Sequence, residues 1–449
     1  MTVSSNHSGS NENNRIESNM TTIELEARPE RRLIRPSGSF RHVVYHIQVG
    51  EKLKKDAADR LPLSLALVLD RSGSMERGKL ETAKRSALAV LNRLDERDQV
   101  AVVVFDDRVD VVQPAAPATA RLKAQVRSAL AEVHARARTA LHEGWLTGCQ
   151  AIANEAPAAA GQRLSRCFLL TDGLANVGVT DPEQIAGEAA GIYENAGIGT
   201  STFGFGRDYS EALLGPMAVA GGGQFHNLRK AEDITSTFVG ELGDLFDVAA
   251  ARARLELETS PGVTVDMISH YRAPHSSDAM QRWSVALGDL LAGDDRQIVV
   301  RFGFPGRPEQ EECVVRARLL WEDAGLAQST DWQELRFSYA DYAMCDAEAY
   351  GPTAAHWMGL HHAERAKRKA AVARRHSERE AARRDLRGVA RRIRHYAGTD
   401  VDLLAAIREL QALEQQLVEA PMEAMAAKEQ YYMSQRFTRG HKDHRDPNS

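Results

Sequence analysis

The rhythm of hydrophobic and polar residues divides this 449-residue chain into successive zones. Residues 1–30 are polar and without periodicity, and they carry too little apolar surface to offset the entropy of ordering, so a disordered segment is expected there. The run FRHVVYHIQV, Phe40–Val49, has the β-branched and aromatic residues of a strand, and the charged KLKKDAADR after it reads as a connector. From Leu61 to Asp247 continuous apolar runs (LSLALVLD, QVAVVVF, RCFLLTD, GIGTSTFGFG) alternate with amphipathic stretches such as Lys79–Leu94. Apolar strands separated by such helices predict a doubly wound, mostly parallel α/β sheet covered on both faces.

Over residues 248–342 the period becomes two, in ARLELE, VTVDMI, RWSVAL, RQIVVRFGF and CVVRARLLW, with PG, GDD and PGRPE turns between them. That alternation predicts an antiparallel, β-sandwich-like domain. Residues 31–60 are assigned to it, because the Phe40–Val49 strand can complete its sheet; the α/β domain of residues 61–247 is then an insertion. Over residues 343–437 Gly is scarce, and Leu386, Val389 and Ile393, then Leu403, Ile407, Leu410, Leu413 and Leu417, recur at helical spacing. Two or three long helices are expected, broken near Ala397-Gly398-Thr399 and at Pro421. The polar residues 438–449 are expected to be a disordered tail.

Composition narrows the class further. Hydrophobic residues at 43% and charged residues at 27% suit a globular protein, and a net charge of −5 gives no global attraction to nucleic acid. Cys149, Cys167, Cys313 and Cys345 form no CxxC pair, so neither a zinc framework nor a disulfide ladder is expected. A reducing compartment fits that usage. With no apolar leader and no run of about 18 apolar residues, a cytoplasmic location is expected.

The sharpest chemical signal is LALVLDRSGSM, where an apolar strand runs into Asp70, Ser72 and Ser74. In a doubly wound sheet, ligands collect at the carboxyl ends of the strands, and alternate residues of this loop can turn their oxygens inward around Gly73. The strand RCFLLTDG ends in Asp172, which sets a second carboxylate beside the first. Two neighbouring carboxylates repel unless a divalent cation lies between them, and carboxylate plus hydroxyl oxygens suit a hard ion such as Mg²⁺. Thr139, ahead of the helix starting near Leu141, can supply another hydroxyl.

These segments, in this order and each at a strand or helix end, resemble the von Willebrand factor A-type domain, whose metal-ion-dependent adhesion site combines Asp-x-Ser-x-Ser with a distant Thr and a distant Asp. The resemblance covers about Leu61–Asp247. It implies a site in which Ser72, Ser74 and Thr139 coordinate Mg²⁺, or Mn²⁺ or Ca²⁺, while Asp70 and Asp172 reach the ion directly or through water. It further implies an open coordination position for an acidic residue of a protein partner, and so a cytoplasmic adaptor or scaffold that binds and does not catalyse. The family also couples coordination to a shift of its last helix, here about Lys230–Leu245, which implies a switchable affinity. Arg138 stands before Thr139 where many relatives have Gly, which bears on the shape of that loop.

Other signals are weaker. Asp106 and Asp107 read as a strand-end turn, and the Gly204, Gly206 and Gly221–Gly223 positions match no phosphate-binding fingerprint. His356, His361 and His362 read as a solvated polar helix face. A single helix from Glu364 to Arg394 carries thirteen Arg or Lys against four acids, which keeps nucleic-acid contact open as an alternative. A metal-dependent hydrolase is the other alternative, but the motifs supply no base.

Overall fold

The computed structural model describes residues 22–51, 60–136, 138–153, 163–272, 275–277, 281–323 and 325–440. Strands β1 (Ile23–Pro29), β2 (Leu33–Ile34) and β3 (Ser39–Val49) precede the α/β domain. The presence of β1 corrects the expectation that disorder extends to residue 30. β1 pairs antiparallel with β3, Ile23 opposite Val49 and Pro29 opposite Val43, and buries Leu25. Ile23, Leu25 and Ala27 alternate with Glu24, Glu26 and Arg28, a short period-two signal that the polar stretch before it conceals, and the partner strand supplies the backbone hydrogen bonds that order it. Residues 1–21, 441–449 and most of the KLKKDAADR connector lie outside the described residues.

The central sheet contains β4 (Leu63–Asp70), β5 (Gln99–Phe105), β6 (Val109–Pro117), β7 (Leu164–Thr171), β8 (Ile198–Phe205) and β9 (Gly222–Leu228), in the order β6-β5-β4-β7-β8-β9. All neighbours are parallel except β6, which runs antiparallel to β5. Helices α1 (Lys79–Arg93), α2 (Ala120–Ala131), α3 (Leu141–Ala153), α4 (Pro182–Ala196), α5 (Glu211–Ala220) and α6 (Ala231–Phe246) cover it. Successive β4 residues alternate between faces. Ala66 and Val68 pack with Trp145 of α3 and Leu213 of α5, whereas Leu65, Leu67 and Leu69 pack with Leu80 of α1 and Phe238 of α6. Burial on both faces is why these strands read as unbroken apolar runs. The chain leaves β4 for β5 on one side and returns to β7 on the other, so the carboxyl end of β4 is the switch point of the sheet.

The remaining strands are β10 (Val248–Thr259), β11 (Thr264–Met267), β12 (His275–Ser277), β13 (Arg282–Leu291), β14 (Asp295–Phe304), β15 (Glu312–Asp323), β16 (Leu326–Ser329) and β17 (Gln333–Tyr339). One sheet runs β1-β3-β14-β11; the other runs β12-β13-β10-β15-β17-β2, with β16 on β15. They enclose a common core of Val43, Tyr45, Ile47, Ile298, Val300, Leu255, Leu257, Leu319 and Phe337. Strands β1 and β3 therefore begin, before the α/β domain, a sheet that β14 and β11 complete after it, and that domain is inserted in a β-sandwich. Only Asp247 separates the end of α6 from the start of β10.

The C-terminal region holds the short α7 (Tyr342–Ala347), then α8 (Pro352–Val372), α9 (His376–Arg394), α10 (Val401–Glu419) and α11 (Ala424–Arg439). The breaks near Gly398 and Pro421 fall where expected, but the expected single helix from Glu364 to Arg394 is interrupted at residues 373–375. There Glu378 accepts the backbone N–H groups of Arg374 and Arg375, capping a new helix start that the charged sequence conceals. Thr438 and Arg439 belong to α11, not to the tail.

The histidines of α8 do not form a solvated face. His361 is buried and bonds Ser269 Oγ at 2.9 Å, His362 meets His42 with their Nε2 atoms 3.1 Å apart, and His356 bonds Asp400 at 2.7 Å. The reason is that α8 lies on the outer face of the first sheet, where Ala354 and Met358 pack on Val44 and Val299. The last helix ties this region to the inserted domain: Lys428 Nζ bonds Glu211 at 2.8 Å, and Glu429 accepts from Asn227 Nδ2 at 2.9 Å.

Candidate metal centre

Strand β4 ends at Asp70, whose side chain is wholly buried. One carboxylate oxygen accepts the Ser72 backbone N–H at 2.7 Å, and the other accepts the Thr171 hydroxyl at 2.6 Å. The first bond curls the chain after the strand into a tight turn over Gly73–Met75, which turns the Ser72 and Ser74 hydroxyls toward each other, 3.0 Å apart. Ser74 Oγ donates to Asp172 Oδ1 at 2.5 Å, so the turn is joined to the end of β7.

Thr139 arrives from a third direction. Its backbone N–H donates to Asn176 Oδ1 at 2.9 Å, and its carbonyl accepts the Asn176 N–H at 3.2 Å. The adjoining Ala140 N–H donates to the Asp106 carbonyl at 2.6 Å. These bonds fix the start of α3 over the site. A methyl group on Gly173 would stand 3.3 Å from Ser74 Oγ and 3.5 Å from Thr139 Oγ1, so the two hydroxyls converge over a glycine that leaves room between them. Ser72, Ser74, Thr139, Asp70 and Asp172, all singled out in the sequence, thus gather at the carboxyl ends of β4 and β7.

Burial pushes the Asp70 carboxyl up to about 6; hydrogen bonds from Thr171 and Ser72 oppose the rise, and the Asp172 charge adds to it. A buried carboxylate held near a second one calls for a counter-charge. Lys79, at the start of α1, supplies part of it through an ion pair from Nζ to Asp172 Oδ2. Among the donors, two carboxylates and three hydroxyls are hard oxygen ligands of the kind Mg²⁺ takes, so the residue set fits a hard divalent cation.

Several residues around the site were not legible as part of it. Arg71, within the motif itself, sends Nε to Asp106 at 3.0 Å and also pairs with Asp110. Arg136 reaches Asp106 from the loop before Thr139 at 2.5 Å. Burial works against the Asp106 charge, but hydrogen bonds from Arg136 and the Arg108 backbone, with the Arg71 charge, outweigh it and hold this carboxyl below the usual range. Asp106 is therefore a brace that binds the motif loop to the Thr139 loop. Its only sequence signal is its place at the end of β5.

Residues 64–239 match the von Willebrand factor type A domain family. An uncharacterized protein of Synechocystis sp., sll0103, is 28% identical over 63% of this chain and 67% of its own length. Human inter-alpha-trypsin inhibitor heavy chain H4 is 29% identical over 38% of this chain, which spans only 19% of that protein. A solved von Willebrand factor type A structure from Catenulispora acidiphila superposes with a TM-score of 0.69 at 18% identity, covering 95% of this chain and 99% of its own. That likeness extends the shared fold beyond the inserted domain to the sandwich and the helices.

Proposed function

Given a von Willebrand factor type A domain over residues 64–239, we propose that the chain is a metal-dependent protein–protein interaction module. Domains of this type are generally interaction modules and typically hold a divalent ion. In this reading Ser72, Ser74 and Thr139 hold Mg²⁺, with Asp70 and Asp172 directly or through water, and a partner's acidic side chain completes the coordination. When bound, the ion supplies a positive centre for that carboxylate. The observation that carries the reading is the convergence of the Ser74 and Thr139 hydroxyls over Gly173, between two carboxylates.

Charge supports the direction of recognition. Asp70 and Asp172 balance a divalent ion, and the nearby Lys79 ammonium leaves the assembly net positive, which favours an anionic partner group. The four cysteines are free and buried, as suits a reducing compartment, and we extend the proposal to a cytoplasmic adaptor or scaffold. No helix among the described residues is long and apolar enough to cross a membrane.

The test is affinity capture by the full chain in Mg²⁺ and in EDTA, with a Ser72→Ala/Ser74→Ala variant checked for retained folding. Titration of Mg²⁺ by calorimetry accompanies it. A partner held only by metal-loaded wild type, together with saturable Mg²⁺ binding that the variant lacks, is the expected result. Equal retention in all three samples would overturn the proposal.

A further inference from the structure

A second site is suggested where the sandwich meets the helices. The outer face of β3 and β14 and the facing sides of α8 and α9 leave a cleft of about 820 Å³, within the range of small-molecule pockets, roughly 300–1,000 Å³. Alternation along β3 sends Phe40 and His42 to this side, next to Val44, while Val43 and Tyr45 enter the sandwich core. The cleft shares no residue with the metal centre.

Its lining carries more basic than acidic side chains. Arg31, Arg35, Arg301 and Arg392 face it against only Glu30 and Asp346. Both carboxylates are already engaged: Asp346 pairs with Arg35, and Glu30 lies 3.3 Å from His42 Nδ1; Arg301 in turn pairs with Asp266, outside the cleft lining, at 2.7 Å. Arg392 is exposed and has no carboxylate partner among the described residues. The imidazole of His362 also lines the cleft. Its burial, and then the charges of His42, Arg392, Arg365 and Arg301, hold it well below its ordinary value. Aromatic faces complete the walls. Phe40 is 59% exposed with Arg301 4.8 Å from its ring centre, and Tyr350 and Tyr396 lie 5.1 Å apart with Arg31 over Tyr350.

We infer that this cleft binds a small phosphorylated molecule, its phosphate groups held by Arg31, Arg35, Arg301 and Arg392 and its organic part lying against Phe40 and Tyr350. Guanidinium groups present paired N–H donors in the geometry that phosphate oxygens accept, and a concave site with excess positive charge concentrates such anions. A carboxylate ligand would meet the same charges with fewer acceptor oxygens per group, which makes phosphate the better match.

Calorimetric titration of the full chain at low salt tests this, with EDTA present so that the metal centre is empty. The probes are inorganic pyrophosphate, ADP and citrate. Saturable binding of pyrophosphate or ADP, tighter than that of citrate and weakened by added salt, is expected. Arg392→Glu should weaken it at least about tenfold, and Arg35→Ala should weaken it as well. Arg384→Glu, on an exposed position of the same helix outside the cleft, should leave it unchanged. No saturable binding at millimolar probe, citrate binding as tight as pyrophosphate, or full affinity in folded Arg392→Glu and Arg35→Ala variants would each overturn the assignment.

Discussion

Asp70 is buried, hydrogen-bonded and close to another carboxylate, so its charge is a liability when no cation is present. Asp70→Asn keeps the shape and removes that charge. We expect the metal-free melting temperature to rise by a few degrees while the Mg²⁺-induced rise disappears, as read by thermal denaturation with and without the ion. Unchanged metal-induced stabilisation in this variant would remove Asp70 from the site. Lys79 works in the opposite sense. Lys79→Ala removes a competitor for Asp172, so Mg²⁺ affinity should rise about three- to tenfold, while affinity for an acidic partner falls. Parallel titrations of metal and captured partner check both halves. At this scale the five candidate oxygen donors were legible, because each lies at or next to a strand or helix end and carries its own local signature. The Lys79 pair and the Arg71–Asp106–Arg136 brace were not, because they join segments tens of residues apart and leave no periodic trace.

Among the elements, α3 sets the position of Thr139, and two glycines set the position of α3. A Cβ on Gly148 would stand 2.3 Å from Val68 Cγ2, and one on Gly144 would stand 2.6 Å from Phe105 Cγ. The helix thus lies directly on β4, which ends at Asp70, and β5, which leads into Asp106. Gly148→Ala should push it outward, costing about 1–3 kcal/mol of stability and weakening Mg²⁺ binding through displacement of Thr139. Denaturant melts with metal titration test this, and normal values for both would show that the close packing does not position the site. Four central strands, β4, β5, β7 and β8, were readable from their apolar runs, since burial on both faces writes itself into every position; β6, a half-exposed edge strand, and β9, whose buried stretch GGQFHNL is mostly Gly and polar, were not. Helix ends in the C-terminal region were harder. The stop at residues 373–375 rests on a Glu378 cap inside a charged stretch, where periodicity carries little information.

For the whole molecule, the interface between sandwich and helices contains imidazoles that burial keeps neutral. Burial, with the Arg368 charge, lowers His361 to about 3, and His270 and His362 also fall well below 6.5. The folded state resists protonation that the unfolded chain accepts. The stability these neutral groups confer is therefore complete above about pH 6.5 and is lost as pH falls toward 3. At pH 5, His361 alone accounts for about 2 kcal/mol. A melting temperature that falls steadily from pH 7 to 5, and falls less in a His361→Gln variant, is expected; a flat profile would mean that the interface opens without titrating these groups. The basic excess of this region was plain in the sequence, but not how much of it is neutralised internally. Lys367 bonds Glu364 at 2.6 Å and also pairs with Glu409, and Arg387 meets Glu414 at 2.5 Å.

The one-residue junction between α6 and β10 has a mechanical meaning. Asp247 is itself fastened, its N–H to the Asp244 carbonyl at 3.0 Å and its carbonyl to the Ala292 N–H at 3.0 Å, so the junction has no slack. A strand advances about 3.3 Å per residue, and slipping by a single residue turns its core side chains to the wrong face. Helix and strand are joined end to end through a single fastened residue. Axial travel of α6 would pass directly into the first residues of β10, where Val248 faces Leu291 and Ala250 faces Leu290 across shifts of register, so the strand start that would receive the movement is the irregular part of the ladder.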